Sequence, residues 1–136
     1  MTPQIQHINP EGLSKNPAFS QAVITLGKGK TVYIGGQDAI NAQGRIIGIG
    51  DIGVQTDQVM QNLQTALTAC GATFEHIVKL TIFIVHGQDL RLGFQASQKY
   101  LGGLKNPPAI SGMFVAALAR PEYLVEVEAI AFIPGE

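Results

Sequence analysis

The sequence predicts a single α+β domain in which a mixed β-sheet carries two helices on one face. Two observations support this prediction. Runs rich in β-branched residues alternate with two longer segments whose apolar residues recur at helical spacing. The chain of 136 residues is also long enough for one substantial core but short for two. We therefore expect residues 1–136 to form one domain, without repeats or linkers.

The first half of the chain is predicted to begin with a β-hairpin. Residues 21–26 and 31–36 are β-rich runs, and the residues between them include glycine, which favours a tight turn. A second turn is predicted at residues 41–45. The run after it, residues 45–49, is short and flanked by glycine, so we expect at most a brief edge strand there.

Two helices are predicted, at residues 56–70 and 90–101. In the first, the apolar residues fall on one stripe of period 3.6, and Gly71 follows where a helix C-cap is expected. The second has a weaker helical pattern that is closed by Gly102 and Gly103.

Three further strands are predicted, at residues 76–85, 111–118 and 123–133. The first is almost continuously apolar and β-branched, so it should be central in the sheet. Both helices follow strands and should pack on one face of a sheet of four to six strands. Because the strands are too apolar to leave the other face in water, we expect that face to pack against other copies of the chain.

Composition and charge argue against several functional classes. The formal net charge is −1 and charged residues make up 14%, so no strong field is available to attract nucleic acid. No apolar run is long enough to cross a bilayer, and the N-terminus lacks the pattern of a secretory signal. The single Cys70 cannot form an intrachain disulfide. We therefore expect a cytoplasmic protein that neither enters the membrane nor binds nucleic acid.

Few side chains have a spacing that favours chemistry. Glu126 and Glu128 are two apart in a predicted strand, so they point to the same face. Carboxylates this close can share protons, and one can then act as a proton shuttle. The alternative is that both face solvent or a subunit boundary, as most carboxylates do. The histidines are far apart and Cys70 lies on the apolar helix stripe, so we expect no metal site, no cofactor and no reactive cysteine.

Two C-terminal stretches resemble the Rid family, the YjgF-like enamine/imine deaminases. They are Asn-Pro-Pro-Ala-Ile-Ser-Gly at residues 106–112 and Leu-Val-Glu-Val-Glu-Ala-Ile-Ala at residues 124–131. Further similar stretches lie at residues 19–23, 33–37, 61–71 and 75–83. The resemblance implies a chorismate-mutase-like fold that assembles as a homotrimer, with a small-molecule pocket at each cleft between subunits.

In the deaminating branch, the resemblance implies an arginine after Pro-Ala that holds the substrate carboxylate, and a glutamate on the last strand that places the attacking water. Here Ile110 stands at the arginine position and Glu126 at the glutamate position. An aliphatic side chain cannot make the charge-assisted bidentate contact that a carboxylate needs. We therefore do not expect the usual 2-iminoacid as substrate.

Other positions matched to the family pocket have lost polar groups. Phe19 stands for a tyrosine, Gly35 for a serine and Gly112 for a cysteine, whereas Gln95 keeps an amide where asparagine is frequent. Glu126 is the expected catalytic residue, with Glu128 in a supporting role. The expected substrate-binding residues are Phe19, Gly35, Gly36, Gln95, Ile110, Ser111 and Gly112.

Two functions are compatible with these residues. In the first, the protein is an enzyme that hydrolyses a neutral or differently anchored enamine or imine and releases ammonia, with Glu126 acting on water. In the second, the same trimer binds a small metabolite without turnover or serves as an interaction scaffold. A replacement anion anchor would come from Arg91, Lys105 or Arg120. A ribonuclease role, which has been attached to the family, ranks last because the chain has no basic patch.

Overall fold

A computed structural model describes residues 3–135 of the chain. The described residues form two α-helices and six strands, with a short 3-10 helix, Phe74–His76, before the fourth strand. In chain order the elements are β1 (Ile5–Ile8), β2 (Ala22–Thr25), β3 (Gly29–Gln37), α1 (Ile52–Ala69), β4 (Ile77–Val85), α2 (Leu90–Leu101), β5 (Ala109–Val115) and β6 (Val125–Pro134).

The main sheet has four strands in the order β3-β6-β4-β5. β6 runs antiparallel to both of its neighbours, whereas β4 and β5 are parallel. The buried residues of β6 are Val125, Val127, Ala129 and Ala131, together with Phe132, and the alternating set faces α1. α2 packs on α1. The α+β prediction, with a mixed sheet and helices on one face, is confirmed.

The core lies between α1 and the sheet. Met60, Leu63 and Leu67 of α1 are almost fully buried, as are Ile77 and Leu80 of β4. Burying a side chain of this size contributes about 1.5–3 kcal/mol relative to leaving it in water. The predicted helical stripe is therefore the face that holds the two layers together.

α1 begins four residues before its predicted start, because Asp51 caps its N-terminus. The Asp51 Oδ1 atom accepts a hydrogen bond from the Val54 backbone N–H at 3.1 Å. At the other end, Gly71 has a φ of +79° and its N–H donates to the Thr68 carbonyl, so the predicted glycine C-cap is confirmed.

The predicted β-hairpin of residues 21–26 and 31–36 is wrong. β2 pairs with β1, which the sequence analysis missed, and β3 pairs with β6. The Gln4 side-chain amide donates to the carbonyls of Leu26 and Lys28, at 2.9 and 2.6 Å. β1 thus pairs with β2 in place of the predicted hairpin partner.

One smaller expectation agrees with the structure and one is corrected. Residues 45–49 form no strand, and only an isolated bridge joins Ile40 to Ile46, which fits the expectation of at most a brief edge strand. Cys70 is exposed rather than in the core, because the last buried residue of α1 is Leu67 and the chain turns away after it.

The sheet face opposite the helices, here called the open face, is covered by no helix of residues 3–135. By strand alternation it includes Tyr33, Lys79, Thr81, Ser111 and Glu128. Tyr33 is 77% exposed, which is unusual for a large side chain in mid-strand. Among the described residues, neither helix is both long and apolar enough to cross a membrane.

Candidate functional site

Glu126 lies on β6 and is half-buried. Its neighbours Val125 and Val127 are buried against the helix layer, so Glu126 points to the open face. Gly36 of β3 lies directly beside it, and a Cβ atom at Gly36 would stand 2.5 Å from the Glu126 Oε2 atom. Because Gly36 has no side chain, the Glu126 carboxylate can lie directly against the backbone of β3.

A β-bulge next to Glu126 sets which residue of β3 faces it. Ile34 pairs with Ala129 but Gln37 pairs with Val127, so three steps along β3 match two along β6. β3 therefore has one extra residue, which lies within the pair Gly35 and Gly36. After the bulge the next residue of the chain, Asp38, comes opposite Glu126.

Asp38 and Glu126 form a pair of facing carboxyl groups. Burial, together with the hydrogen bond and the negative charge of Glu126, raises the pKa of Asp38 to about 7. The Asp38 Oδ1 atom is buried and has no hydrogen-bond partner among the described residues. At neutral pH a large share of the molecules therefore hold a proton on Asp38, beside the Glu126 carboxylate.

The backbone of Asp38 is held in place from α1. Its carbonyl oxygen accepts hydrogen bonds from the Asn62 side-chain amide at 2.9 Å and from the Ile40 N–H at 2.8 Å. Asn62 donates a second hydrogen bond to the Ile40 carbonyl at 2.9 Å. The acid is thus positioned by the helix layer, although its carboxyl group faces the other side of β3.

Sequence reasoning missed Asp38. An aspartate after Gly-Gly-Gln at a strand end is an ordinary turn signal, and only the bulge places it opposite Glu126. The one sequence feature that could have indicated the bulge was Gly36, because a glycine within a strand often marks a bulge or the close approach of another group.

Phe19 and Ile110 lie together in a different place, in a cleft of about 260 Å³ at the β5 edge of the sheet. Ser20 is buried, and its N–H donates to the Pro108 carbonyl at 2.9 Å, which ties Phe19 to the start of β5. Ile110 is opposite Leu80, on the helix side of the sheet. No charged side chain lines this cleft, so the Asn-Pro-Pro segment builds an apolar site here.

The remaining predicted site residues are dispersed. Ser111 lies on the open face, where its Oγ accepts a hydrogen bond from Lys79 Nζ at 2.6 Å. Gly35 lines a depression on the same face together with Lys79 and Glu128. Gln95 and Gly112 are exposed. Gln95 lines a separate depression. Gly112 is two residues from Ile110 on β5, opposite Ile82, but does not line the Phe19–Ile110 cleft. Within one chain, Gly36 therefore lies beside Glu126 and Phe19 lies beside Ile110, but these two pairs are on different parts of the sheet.

The three candidate anion anchors are all exposed. Arg91 pairs with Asp89 at 3.4 Å, and the Arg120 guanidinium lies over the Tyr123 ring, 5.7 Å from its centre. Neither they nor Lys105 line the Phe19–Ile110 cleft. Within residues 3–135, no group of three histidine, cysteine or acidic side chains is arranged to hold a metal ion.

Comparison with known proteins agrees with this fold. The sequence model of the family described as Endoribonuclease L-PSP matches residues 12–133. Among solved structures, the Rid-family protein YyfB of Yersinia pestis superimposes with a TM-score of 0.84 at 38% identity, covering 94% of this chain and 98% of that one. The chain belongs to the Rid family.

Two relatives of known name are similar over most of their length. Protein DfrA of Myxococcus xanthus is 34% identical over 113 residues, which is 83% of each chain. The 2-iminobutanoate/2-iminopropanoate deaminase of Rattus norvegicus is 31% identical over 114 residues, 84% of this chain and 79% of the relative. The chain is therefore similar to at least one protein that is named as an imine deaminase.

Proposed function

We propose that this Rid-family protein hydrolyses the C=N bond of a neutral imine, or of the imine tautomer of an enamine, and releases ammonia, at a cleft between two copies of the chain. Similarity to a protein named as an imine deaminase supports the reaction type. The observation that carries the proposal is the Asp38–Glu126 pair, in which an acid and a carboxylate face each other across the bulge.

Hydrolysis of an imine needs both members of such a pair. The Glu126 carboxylate accepts a proton from water while the water oxygen bonds to the imine carbon. The proton held by Asp38 goes to the nitrogen, directly or through Glu126, and gives a carbinolamine. The proton that Glu126 took from water then goes to the amino nitrogen, the C–N bond breaks and ammonia leaves. The hydroxyl proton goes to the Asp38 carboxylate, which forms the carbonyl product and restores both carboxyl groups.

The substrate class follows from the apolar cleft. Ile110 and Phe19 offer apolar contact, and no charged side chain lines the cleft to pair with a substrate carboxylate. An unpaired charge placed there would lose its hydration without compensation. Arg91, Lys105 and Arg120 are exposed, which also favours an uncharged substrate. The proposed substrate is therefore a neutral imine rather than a 2-iminoacid.

The proposed cleft needs a second copy of the chain. Within one copy, Glu126 points to the open face while Ile110 lies on the helix side of the sheet, so one small molecule cannot touch both. A neighbouring copy packed against the open face could bring its own Phe19 and Ile110 towards Glu126. The large exposed Tyr33 on the open face supports packing of this kind, as a homotrimer.

Release of ammonia is the direct test. Acetophenone imine serves as a neutral ketimine and 2-aminoacrylate as the carboxylate-bearing comparison, each corrected for spontaneous hydrolysis. We expect turnover of the neutral imine to exceed that of 2-aminoacrylate, and Glu126→Gln to reduce it by about 10²–10⁴-fold. Glu128→Gln is the matched control, two residues along the same strand, and should retain most activity.

Absence of turnover on either compound, or equal loss in both variants, would count against the proposal. Saturable binding of the imine without ammonia release would favour the alternative, a protein that binds a small metabolite. Cleavage of RNA is disfavoured at this site, because the Glu126 carboxylate would repel the phosphate backbone.

A further inference from the structure

A second cavity lies between the helices and the sheet, away from Asp38 and Glu126. Its volume is about 220 Å³, and we call it the inter-layer cavity. The side chains that line it include Met60, Ile82, Ile84, Phe94, Leu101 and Val127. They come from α1, α2, β4 and β6, so the cavity lies where these four elements meet.

The lining of the inter-layer cavity has no group that would hold water or an ion. No charged side chain lines it. Its two hydroxyl groups are already bonded within their own helices, since Thr56 donates to the Ile52 carbonyl at 2.7 Å and Ser97 to the Phe94 carbonyl at 2.8 Å. Such walls offer few polar partners to water, which needs two to four of them when it is buried.

α2 has a glycine where it passes α1. A Cβ atom at Gly93 would stand 3.4 Å from Thr56 Oγ1 and 3.6 Å from Ile52 Cγ1, so this glycine lets the two helices approach closely at the wall of the cavity. The link between the helices is polar and lies outside the cavity, where the Tyr100 hydroxyl donates to Asp57 at 2.9 Å.

The inter-layer cavity has an entrance. Phe94 lines it and is nevertheless 54% exposed, so this ring stands at the mouth. Ile82, Phe94, Ser97 and Leu101 also line the Phe19–Ile110 cleft. The two spaces are therefore neighbours separated by these shared side chains, and rotation of the Phe94 ring would connect them.

We propose that the inter-layer cavity binds a small uncharged apolar molecule, with an aromatic ring or a branched aliphatic group, which enters past Phe94. The size fits this class, since an engineered apolar cavity of about 150 Å³ in another protein binds benzene. A carboxylate or an ammonium group is excluded, because it would be buried without a partner. The cavity adjoins the Phe19–Ile110 cleft, but this proposal does not require that the protein hydrolyses an imine.

Titration with p-xylene tests the site in the whole protein. Methyl-labelled methionine gives an internal comparison, because Met60 lines the cavity whereas Met113 is 42% exposed on β5. We expect p-xylene to shift the Met60 methyl signal in a saturable way, to show intermolecular NOEs to that methyl group, and to raise the melting temperature. Contacts confined to Met113, or no saturable shift at all, would overturn the proposal.

A pair of matched variants adds a second test. Ser97→Leu places three more carbon atoms in the cavity, so we expect p-xylene affinity to fall at least tenfold. Thr65→Leu makes a similar change on the exposed side of α1, where the hydroxyl likewise donates to a carbonyl of its own helix, and should bind as the wild type does. Equal affinity in the two variants would contradict the site. If Ser97→Leu fails to fold, the NOEs to Met60 in the wild type still decide.

Discussion

The chemistry of the candidate site depends on two residues that are 88 positions apart in the chain. Glu126 could be singled out from the sequence because its strand resembles the Rid family, whereas Asp38 could not. Its position opposite Glu126 requires one extra residue in β3, and no local pattern reveals the register of two distant strands. Site residues that depend on register are therefore the part that sequence reasoning missed.

Gly36 and Gly35 offer a matched pair of substitutions. A Cβ atom at Gly36 would stand 2.5 Å from the Glu126 carboxylate, whereas one at Gly35 has nothing within 4 Å. We expect Gly36→Ala to displace Glu126 and lower imine turnover about tenfold or more, while Gly35→Ala changes it little. Equal turnover in the two variants, measured as ammonia release, would contradict the role given to Gly36.

The raised pKa of Asp38 has a consequence for stability. The folded state holds this proton up to about pH 7, whereas the unfolded chain releases it near 3.8. The proton therefore stabilises the fold fully below about pH 4, and this contribution is lost as the pH rises through 7. Asp38→Asn removes the dependence, so its stability relative to the wild type should improve between pH 5 and pH 8.

The expected gain is on the order of 1 kcal/mol, since solvent reaches the half-buried carboxyl group and screens it. Urea unfolding of the wild type and Asp38→Asn at pH 5 and pH 8 measures this gain in the free energy of unfolding. The other ionisable groups contribute equally to both proteins, so their contributions cancel in the difference. Parallel stability curves for the wild type and Asp38→Asn would rule out a raised pKa at this residue.

At the scale of elements, long periodic segments were predictable and pairing partners were not. α2 has the bounds that its pattern predicted, and β4 lies in the interior of the sheet, because apolar periodicity reports directly on burial. The hairpin prediction failed because the turn signal before β3 does not specify which strand pairs with β2. β1 was missed because Gln6 and His7 interrupt the apolar pattern of a strand that has only four residues.

The start of α1 depends on the side chain of Asp51. Removing its acceptor in Asp51→Ala should lower the free energy of unfolding by about 1 kcal/mol, because the Val54 N–H loses its partner. Asp51→Asn keeps an oxygen acceptor at the N-cap and should stay close to the wild type. Thermal or urea unfolding measures both, and an equal loss in the two variants would argue that the cap is unimportant.

For the molecule as a whole, the sequence predicted the α+β class and the position of the helices, and membership of the Rid family accounts for both. The homotrimer and the cytoplasmic location stay predictions. The exposed Tyr33 on the open face supports assembly, because aromatic residues are enriched at interfaces between chains.

We expect a mass in solution of about three times 14.5 kDa, measured by light scattering. Tyr33→Lys would place a charge on the open face and should shift the protein towards smaller species. Val54→Lys makes the same kind of change on a partly exposed position of α1, outside the open face, and should leave the mass unchanged. A wild type with the mass of one chain would remove the proposed cleft.

The central claim is that Asp38 and Glu126 act together as acid and base, and the pH dependence of imine hydrolysis tests it most directly. With acetophenone imine as substrate, we expect wild-type turnover to fall as the pH rises through about 7, because Asp38 then loses the proton that it donates. Asp38→Asn should be slower below pH 7 and should lack this fall. Superimposable pH profiles for the wild type and Asp38→Asn would contradict the claim.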